Sequence, residues 1–550
     1  MQSRSTRREF LASAIGLPLV LSGCDRNPSQ RTIPPGELVG ASANVGHRLR
    51  ERKRFEVPQD RWQKSRVVIV GAGIAGLSAA RRLQKHGIKD FQILELESHA
   101  GGTSRSGSHN GFQYPWGAHY LPAPTAANVD LVDLLDEMGV VDGRTTDGEP
   151  IIAEQCLCRA PQERVYYKGA WYEGLYVTTD ETKSDREQYS RFRQLVGKFA
   201  DFRDEAGRRA FGLPISSCTQ DAQITALDHI TMSEWLKRQG LTSPKLHDLI
   251  DYCCRDDYGL RCERTSAWAG LFYFAARLPH SGAKTQPFIT WPEGNGRIVN
   301  HLRERNGSRL KTSWAVAEVI PSIADSNEPV QVIAVSSDGS ETIGLQADRV
   351  IMATPQFVTP YMIRDWRENR PEHIQSFEYS SWVVANLFLK DRPATRDSDY
   401  PLCWDNVIAD SPSLGYVVAT HQALVDYGPT VLTWYLPLCD AETHIARQEL
   451  LNEGREAWAD AALSDIERAH PDIRRLTTRV DVMRWGHAMI QPTPGLIWGP
   501  DRQAAIEPYH GIAFANSDLS GVALFEEAFD QGNRAADWVA NELQQSANAS

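Results

Sequence analysis

Between Arg66 and Ala80 the chain reads Arg-Val-Val-Ile-Val-Gly-Ala-Gly-Ile-Ala-Gly-Leu-Ser-Ala-Ala, a stretch that leaves a polypeptide few choices. Four consecutive apolar residues before the first glycine predict a strand buried on both faces, and the Ala/Leu-rich run after the last predicts a helix. Gly71, Gly73 and Gly76, with Ala75 between them, therefore fall on a strand-to-helix turn. Such a turn needs one glycine to bend, one to admit a pyrophosphate against bare backbone and one to pack helix on strand, while the helix N-terminus offers free N–H groups to the anion. Residues 91–94 predict a second parallel strand. Glu95 ends it about 20 residues beyond the turn, where a carboxylate accepts hydrogen bonds from ribose hydroxyls. These features predict an α/β chain with a Rossmann-like dinucleotide-binding domain.

The far end repeats the arrangement. Gly511 to Asn516 reads as a short strand, Ser517-Asp518-Leu519-Ser520-Gly521 as a polar turn, and residues 526–543 have helical spacing with Ala535-Ala536 inside it. With these motifs the chain resembles the flavin-containing amine oxidase and phytoene-desaturase-like superfamily over residues 66–545. The resemblance implies that Asp518 bonds the ribityl or pyrophosphate region of FAD, with Ser517 where the family has glycine. It also implies cofactor contacts from Gly102 of the Gly101-Gly102 pair, from Thr103 where the family has Arg, and from Arg105 as its substitute. Gly117 and Ala118, in Tyr114-Pro115-Trp116-Gly117-Ala118-His119-Tyr120, fall in the segment running beneath the flavin ring, and Val316 falls where backbone meets adenine. Trp291 to Gly296 resembles the turn returning the chain to the nucleotide domain, and Val350 to Pro355 a strand ending near the cofactor. No cysteine lies between Trp485 and Trp498, where monoamine oxidases attach flavin covalently, so noncovalent FAD is implied. A nicotinamide enzyme has no use for a second motif at the chain's end.

This divides the chain into an FAD-binding domain (66–125, 285–360 and 490–545) and an inserted α+β substrate domain (126–284 and 361–489). In the latter, helical spacing covers 129–138, 187–211 and 441–469, and strand patterns cover 382–389 and 431–436. Flavin carries the redox chemistry, leaving the protein to position, polarise and exclude water. Candidate catalytic residues are therefore few. Asn386 stands where the family's amine oxidases place a Lys, which favours a desaturase or isomerase of an apolar polyene or porphyrin-like molecule as the alternative reaction. His119, beside the flavin segment, is the leading proton carrier, ahead of His421 and His487. Trp485 and Trp404 are expected in the substrate-domain core or on a cavity wall able to stack a flat or cationic substrate. Asp256-Asp257 reads as a solvated turn. A third reading is a ligand-binding lipoprotein with structural flavin.

The N-terminus carries two addresses. Thr6-Arg7-Arg8-Glu9-Phe10-Leu11 resembles the twin-arginine export motif, residues 12–21 form a short h-region, and Leu21-Ser22-Gly23-Cys24 resembles a lipobox that makes Cys24 the lipidated first residue. The expectation is a signal over 1–23, a tether over 24–65, and lipid anchoring at the periplasmic face of the bacterial inner membrane. Electrons would pass from a small-molecule substrate to oxygen or a quinone. Removing Arg4, Arg7, Arg8 and Glu9 with the signal takes the net charge from −11 to −13, which argues against a nucleic-acid partner. The eight further cysteines show no CxxC spacing and no metal pattern, and read as small buried hydrophobes.

Overall fold

The computed structural model describes residues 32–51, 54–323, 328–394, 401–423 and 425–549. The twin-arginine motif and Cys24 lie outside them. The chain divides into two units, Met1–Pro34 and Pro35–Ser550. Of the first, only residues 32–34 are described, without regular structure.

The apolar run before Gly71 is the inner part of a strand, Trp62–Val70, whose Val67, Val68 and Ile69 are fully buried. It pairs in parallel with Phe91–Leu94 on one side and Thr342–Met352 on the other. Leu310–Lys311 and Ile512–Phe514 extend this parallel part, and Val330–Ser336 and Trp314–Ile320 add an antiparallel edge. The result is a seven-stranded sheet assembled from three separated stretches of chain.

Against it lie the helix after the glycine turn, Ile74–Lys85, and the C-terminal helix, Phe525–Ala549. Their apolar faces share one core through Ala75, Ala79, Leu83, Ala535, Ala536 and Val539. Contact is close because Gly532 has no side chain: a Cβ there would stand 2.2 Å from the Ala75 carbonyl oxygen.

A second sheet, of eight strands, runs in the order Leu38–Gly40, Thr477–Ile490, Tyr379–Leu389, Thr430–Pro437, Tyr416–Val418, Asp405–Ile408, Glu163–Tyr167 and Ala170–Glu173. Lys183–Asp201, Met232–Arg238, Pro244–Tyr258 and Ala267–Ala275 form a helical layer with its own core around Phe192, Trp235, Tyr258 and Trp268. Two helical stretches are shorter than their periodicity predicts. The first starts on a capping box, Thr182 with Asp185, and ends at Phe202 in extended backbone. The 441–469 stretch breaks into Thr443–Asn452 and Arg455–Glu467 because Gly454 caps the second helix.

The stretch expected as a tether differs more. Beyond Pro35 it is built into the fold: Leu38–Gly40 is an edge strand, Ala43–Arg48 a helix, and Trp62–Val70 begins before residue 66. Its prolines and basic run mask three apolar residues that pair with a neighbouring edge, a signal too short to show as periodicity. No helix among the described residues is long and apolar enough to cross a membrane.

Candidate active site

Two cavities meet at the junction of the sheets. The larger, about 440 Å³, runs from the glycine turn to the C-terminal helix and is lined by Gly71, Gly73, Ala75, Glu95, Gly102, Thr103, Ala118, Val316 and Asp518. Gly71 adopts φ +100°, and a Cβ there would meet the Ala353 carbonyl oxygen at 2.6 Å. Gly76 is closed in the same way by the Gly71 carbonyl at 2.0 Å, whereas a Cβ on Gly73 would meet nothing within 4 Å. Gly73 thus leaves bare backbone facing open space, and as N-cap of Ile74–Lys85 it gives no side-chain hydrogen bond to the helix's first N–H groups. Those donors are available to an anion.

Glu95 is 9% exposed, and its carboxylate accepts the Ala72 N–H at 2.6 Å and the Glu97 N–H at 2.9 Å. It is thereby fixed with remaining lone pairs at the cavity. Burial raises its pKa, against those backbone bonds. Gly102 lies against the turn, where an added Cβ would be 3.5 Å from the Gly73 Cα. The Thr103 carbonyl accepts the Ala118 N–H at 3.0 Å and would clash with any side chain on Gly117.

At the other end Asp518, 3% exposed, accepts the Gln356 N–H at 2.9 Å and the Tyr379 hydroxyl at 2.5 Å. Burial pushes its carboxyl up to about 6. Arg105 is the exception: its guanidinium lies 5.5 Å from the Trp485 ring and donates to Met483 Sδ at 3.7 Å, and the residue does not line this cavity. A cation next to an indole face is partly satisfied there, and its charge still reaches Glu95.

Thr103, Ala118, Trp485, Ala488 and Leu524 line both cavities. Beyond them the smaller one, about 190 Å³, opens between the sheet and helices of the substrate domain. Its walls are aromatic: His119 stacks on Tyr435 with ring centres 4.9 Å apart, and Trp404 and Tyr120 stand at 5.4 and 5.1 Å from the same imidazole. His119 donates from Nδ1 to the Gly117 carbonyl at 3.3 Å, and burial lowers its pKa to about 4. Burial thus keeps the ring neutral near pH 7, against the expectation of a carrier that titrates there. Trp485 donates from Nε1 to the Trp116 carbonyl at 2.7 Å and so stands fixed between the cavities.

Asn386 departs from expectation. It is fully buried, donates to the Pro115 carbonyl at 3.2 Å, accepts the Thr433 hydroxyl at 2.7 Å, and lines neither cavity. Of the other histidines, His421 is bound to the Arg159 carbonyl at 2.7 Å away from the site, while His487 stacks on Phe357 at 3.9 Å and lines the larger cavity.

The sequence reading missed the cavity's charge. Asp256 and Asp257 belong to the helix Pro244–Tyr258 and face the smaller cavity, which corrects their reading as a solvated turn. Asp257 is paired with Arg277 at 2.9 Å. Glu163, Asp256 and Asp405 join it on the wall, and no Lys lines the space among the described residues. Burial is the first cause raising all three: Asp256 to about 7, with Asp257 adding to it, and Asp405 well above its usual value, with Asp256 and Glu163 adding to it. Glu526, 4% exposed at the start of the C-terminal helix, also faces this space, and burial pushes it up to about 7. Only the Asp256-Asp257 pair was visible in advance; the others stand on different elements and meet only in the fold.

Elsewhere, Asp251, Cys262 and Glu263 lie within ligand reach of one another, but Asp251 is engaged by Arg255 and Arg261. The eight described cysteines are unpaired, and seven are buried.

A parallel-sheet glycine turn, a buried carboxylate at the end of the next strand and a buried acid near the N-terminus of a second helix converge on one cavity, and that cavity opens onto an aromatic chamber. This defines a dinucleotide-dependent redox enzyme. The profile of the family "flavin containing amine oxidoreductase" matches residues 74–540, and the chain belongs to that family. It is an FAD-dependent oxidoreductase.

Maize polyamine oxidase 1 is 43% identical over 56 residues, 10% of this chain and 11% of that protein. Tobacco mitochondrial protoporphyrinogen oxidase is 37% identical over 75 residues, 14% of each. These matches thus span a small part of the relatives' length. A putrescine oxidase redesigned in its cofactor binding superposes with a TM-score of 0.65 at 17% identity, covering 88% of this chain and 100% of that one, a likeness of fold.

Proposed function

We propose that the enzyme oxidises a cationic organic amine, taken into the aromatic and acidic chamber with its reacting carbon toward the flavin. The observation that carries this is the set of three carboxylates, Glu163, Asp256 and Asp405, on the wall of a chamber whose arginine, Arg277, is already paired with Asp257. Part-buried carboxyls without an ion pair favour a cationic ligand, because positive charge offsets what desolvation costs their ionised form. Aromatic faces such as Tyr435 and Trp404 add attraction for the same cation. FAD, when bound, supplies the redox chemistry.

The side chains do the rest. The carboxyls bind and orient the ammonium, the rings exclude water, and a carboxylate takes the proton an amine must lose before its C–H bond is oxidised. The relatives named as polyamine and putrescine oxidases agree with this chemistry. A porphyrin-like or polyene substrate, the alternative that tobacco protoporphyrinogen oxidase suggests, has no use for several acids on the chamber wall, and about 190 Å³ is small for a macrocycle.

Anaerobic mixing tests the reading. Primary or secondary amines are expected to bleach the flavin, while the corresponding alcohols and polyenes leave it oxidised. Bleaching by the neutral compounds alone overturns it, and bleaching by nothing returns the protein to a binder with structural flavin.

We further propose that the enzyme works at the periplasmic face of the inner membrane, anchored through Cys24 after twin-arginine export, with a quinone or oxygen as electron acceptor. The motifs at residues 6–11 and 21–24 support this. Arg7→Lys with Arg8→Lys is expected to hold precursor in the cytoplasm, and Cys24→Ala to abolish acyl labelling without blocking export. An unlabelled wild-type protein contradicts the anchor.

A further inference from the structure

The cavity that takes the dinucleotide has one wall built from residues ahead of the family match at 74–540. Leu38–Gly40 pairs in parallel with the substrate-domain strand, Val39 opposite Met483. The Glu37 N–H donates to Asp481 Oδ1 at 2.8 Å, and the Val480 N–H donates to the Pro35 carbonyl at 2.9 Å. Gly36 sits so close that a Cβ there would lie 1.8 Å from the Val480 carbonyl oxygen. A few residues on, Ser42 donates both its N–H and its hydroxyl to the Glu97 carboxylate, each at 2.7 Å. Glu97 stands just past the ribose acid Glu95. The segment is therefore fastened to the substrate domain at one end and to the nucleotide domain at the other. Gly40, Ser42, Gly46, His47 and Arg50 line the cavity, and Arg50 reaches within 5.9 Å of the Tyr361 ring on another wall.

Charge gives a second, independent indication. A dinucleotide brings a diphosphate, yet Arg105 is turned to Trp485 and no lysine lines the cavity among the described residues. Its arginines are Arg50, Arg447 and Arg484. Arg484 is committed to the Leu451 carbonyl at 2.9 Å, and Arg447 to that of Gly486 at 2.7 Å. Arg50 has no hydrogen bond or ion pair among the described residues. Its charge adds to the desolvation that lowers the pKa values of His47, Arg447 and His487. Like charges gathered at a cavity wall are stabilised by an anion placed between them.

We propose that residues 36–51 are a strap closed over the bound dinucleotide, with Ser42 and Glu97 as its latch and Arg50, beside Arg447, as the cation that balances the diphosphate. The strap retains the cofactor and takes no part in the redox chemistry, so the proposal stands apart from the identity of the substrate.

The test is the rate at which FAD leaves the purified holoprotein, followed by the rise in flavin fluorescence. Ser42→Ala and Arg50→Ala are each expected to speed release about tenfold, the loss of one charge-assisted bond, the Arg50 effect shrinking as salt is raised. Arg61→Ala, remote from the cavity and paired with Glu341, is the control. Trypsin is expected to cut the unsubstituted chain after Arg48 and Arg50 in the apoprotein and to spare those bonds in the holoprotein. Release within twofold of wild type from both variants, or equal cutting of the two forms, overturns the strap. Faster release from Ser42→Ala alone overturns the role given to Arg50.

Discussion

Asp405 and Asp256 face an aromatic chamber whose arginine is already neutralised, and their behaviour gives the sharpest expectations at the residue scale. With Asp256 raised to about 7, the empty chamber holds protons below neutrality, and a bound ammonium expels one. Apparent affinity for a fully protonated amine therefore rises with pH between about 5 and 7, by up to about tenfold per unit for one proton released. A flat or falling profile would contradict the charge assignment. His119 gives the converse expectation: its imidazole, lowered to about 4 by burial, stays neutral throughout, so His119→Gln leaves the acid limb of the kcat/KM profile where it was. Glu95→Gln is expected to weaken FAD binding by about 1.5 to 3 kcal/mol, the value of hydrogen bonds to a charged acceptor, measurable by titrating apoprotein with FAD.

At the scale of elements, the strand Tyr379–Leu389 shows why sequence reasoning succeeded and where it stopped. Its pattern announces a buried strand, and Trp382 and Val384 do face the substrate cavity. Asn386 follows by alternation on the same face, yet the segment ending at Pro115 covers that face there, a contact 271 residues distant in sequence that no local pattern carries. The amide is a peg between Pro115 and Thr433. Asn386→Ala strands both partners and is expected to cost about 2 to 3 kcal/mol in denaturant unfolding. Asn386→Lys buries a charge opposite Asp481, whose carboxylate is already held by Arg479 and the Glu37 N–H, and is expected to destabilise at least as much. Faster reoxidation by oxygen in that variant, with stability intact, would restore the residue to the reaction centre.

Across the whole molecule, the dinucleotide site was readable because its demands are local. A turn needing bare backbone and an acid at the next strand's end leave marks within thirty residues, as Gly71, Gly73 and Glu95 show. The chamber was not readable, because Glu163, Asp256, Asp405 and Glu526 come from separate elements and only the fold brings them together. The strap was hidden by composition, prolines and arginines masking one short edge strand.

Four acids, two of them on the chamber wall, also set how the fold responds to pH. Asp256, Asp518, Glu526 and Glu527 are raised to about 7, 6, 7 and 8, burial being the first cause for each. Between about pH 4 and 8 these four carboxyls thus hold more protons in the folded chain than in the unfolded one, while His119, His470 and His487, lowered by burial to about 4, 4 and 3, hold fewer below about pH 6.5 and oppose them there. For the carboxyls alone, stability falls as pH rises through that window and is greatest near its acid end. Thermal melts of the amine-free protein are expected to show a falling Tm from pH 7 to 8, above the range in which the lowered histidines differ between the two states, with an added amine ligand recovering more at the alkaline end.

The central claim, that the chamber selects a cationic amine through its carboxylates, is tested most directly by stopped-flow reduction of the flavin under anaerobic conditions, wild type against Asp405→Asn. The account predicts that an amine reduces the wild-type flavin and that the variant needs at least about tenfold more amine for half-maximal rate, with its flavin spectrum and FAD content unchanged. An unchanged half-saturation in the variant, or reduction of the wild type by uncharged substrates and not by amines, would contradict it.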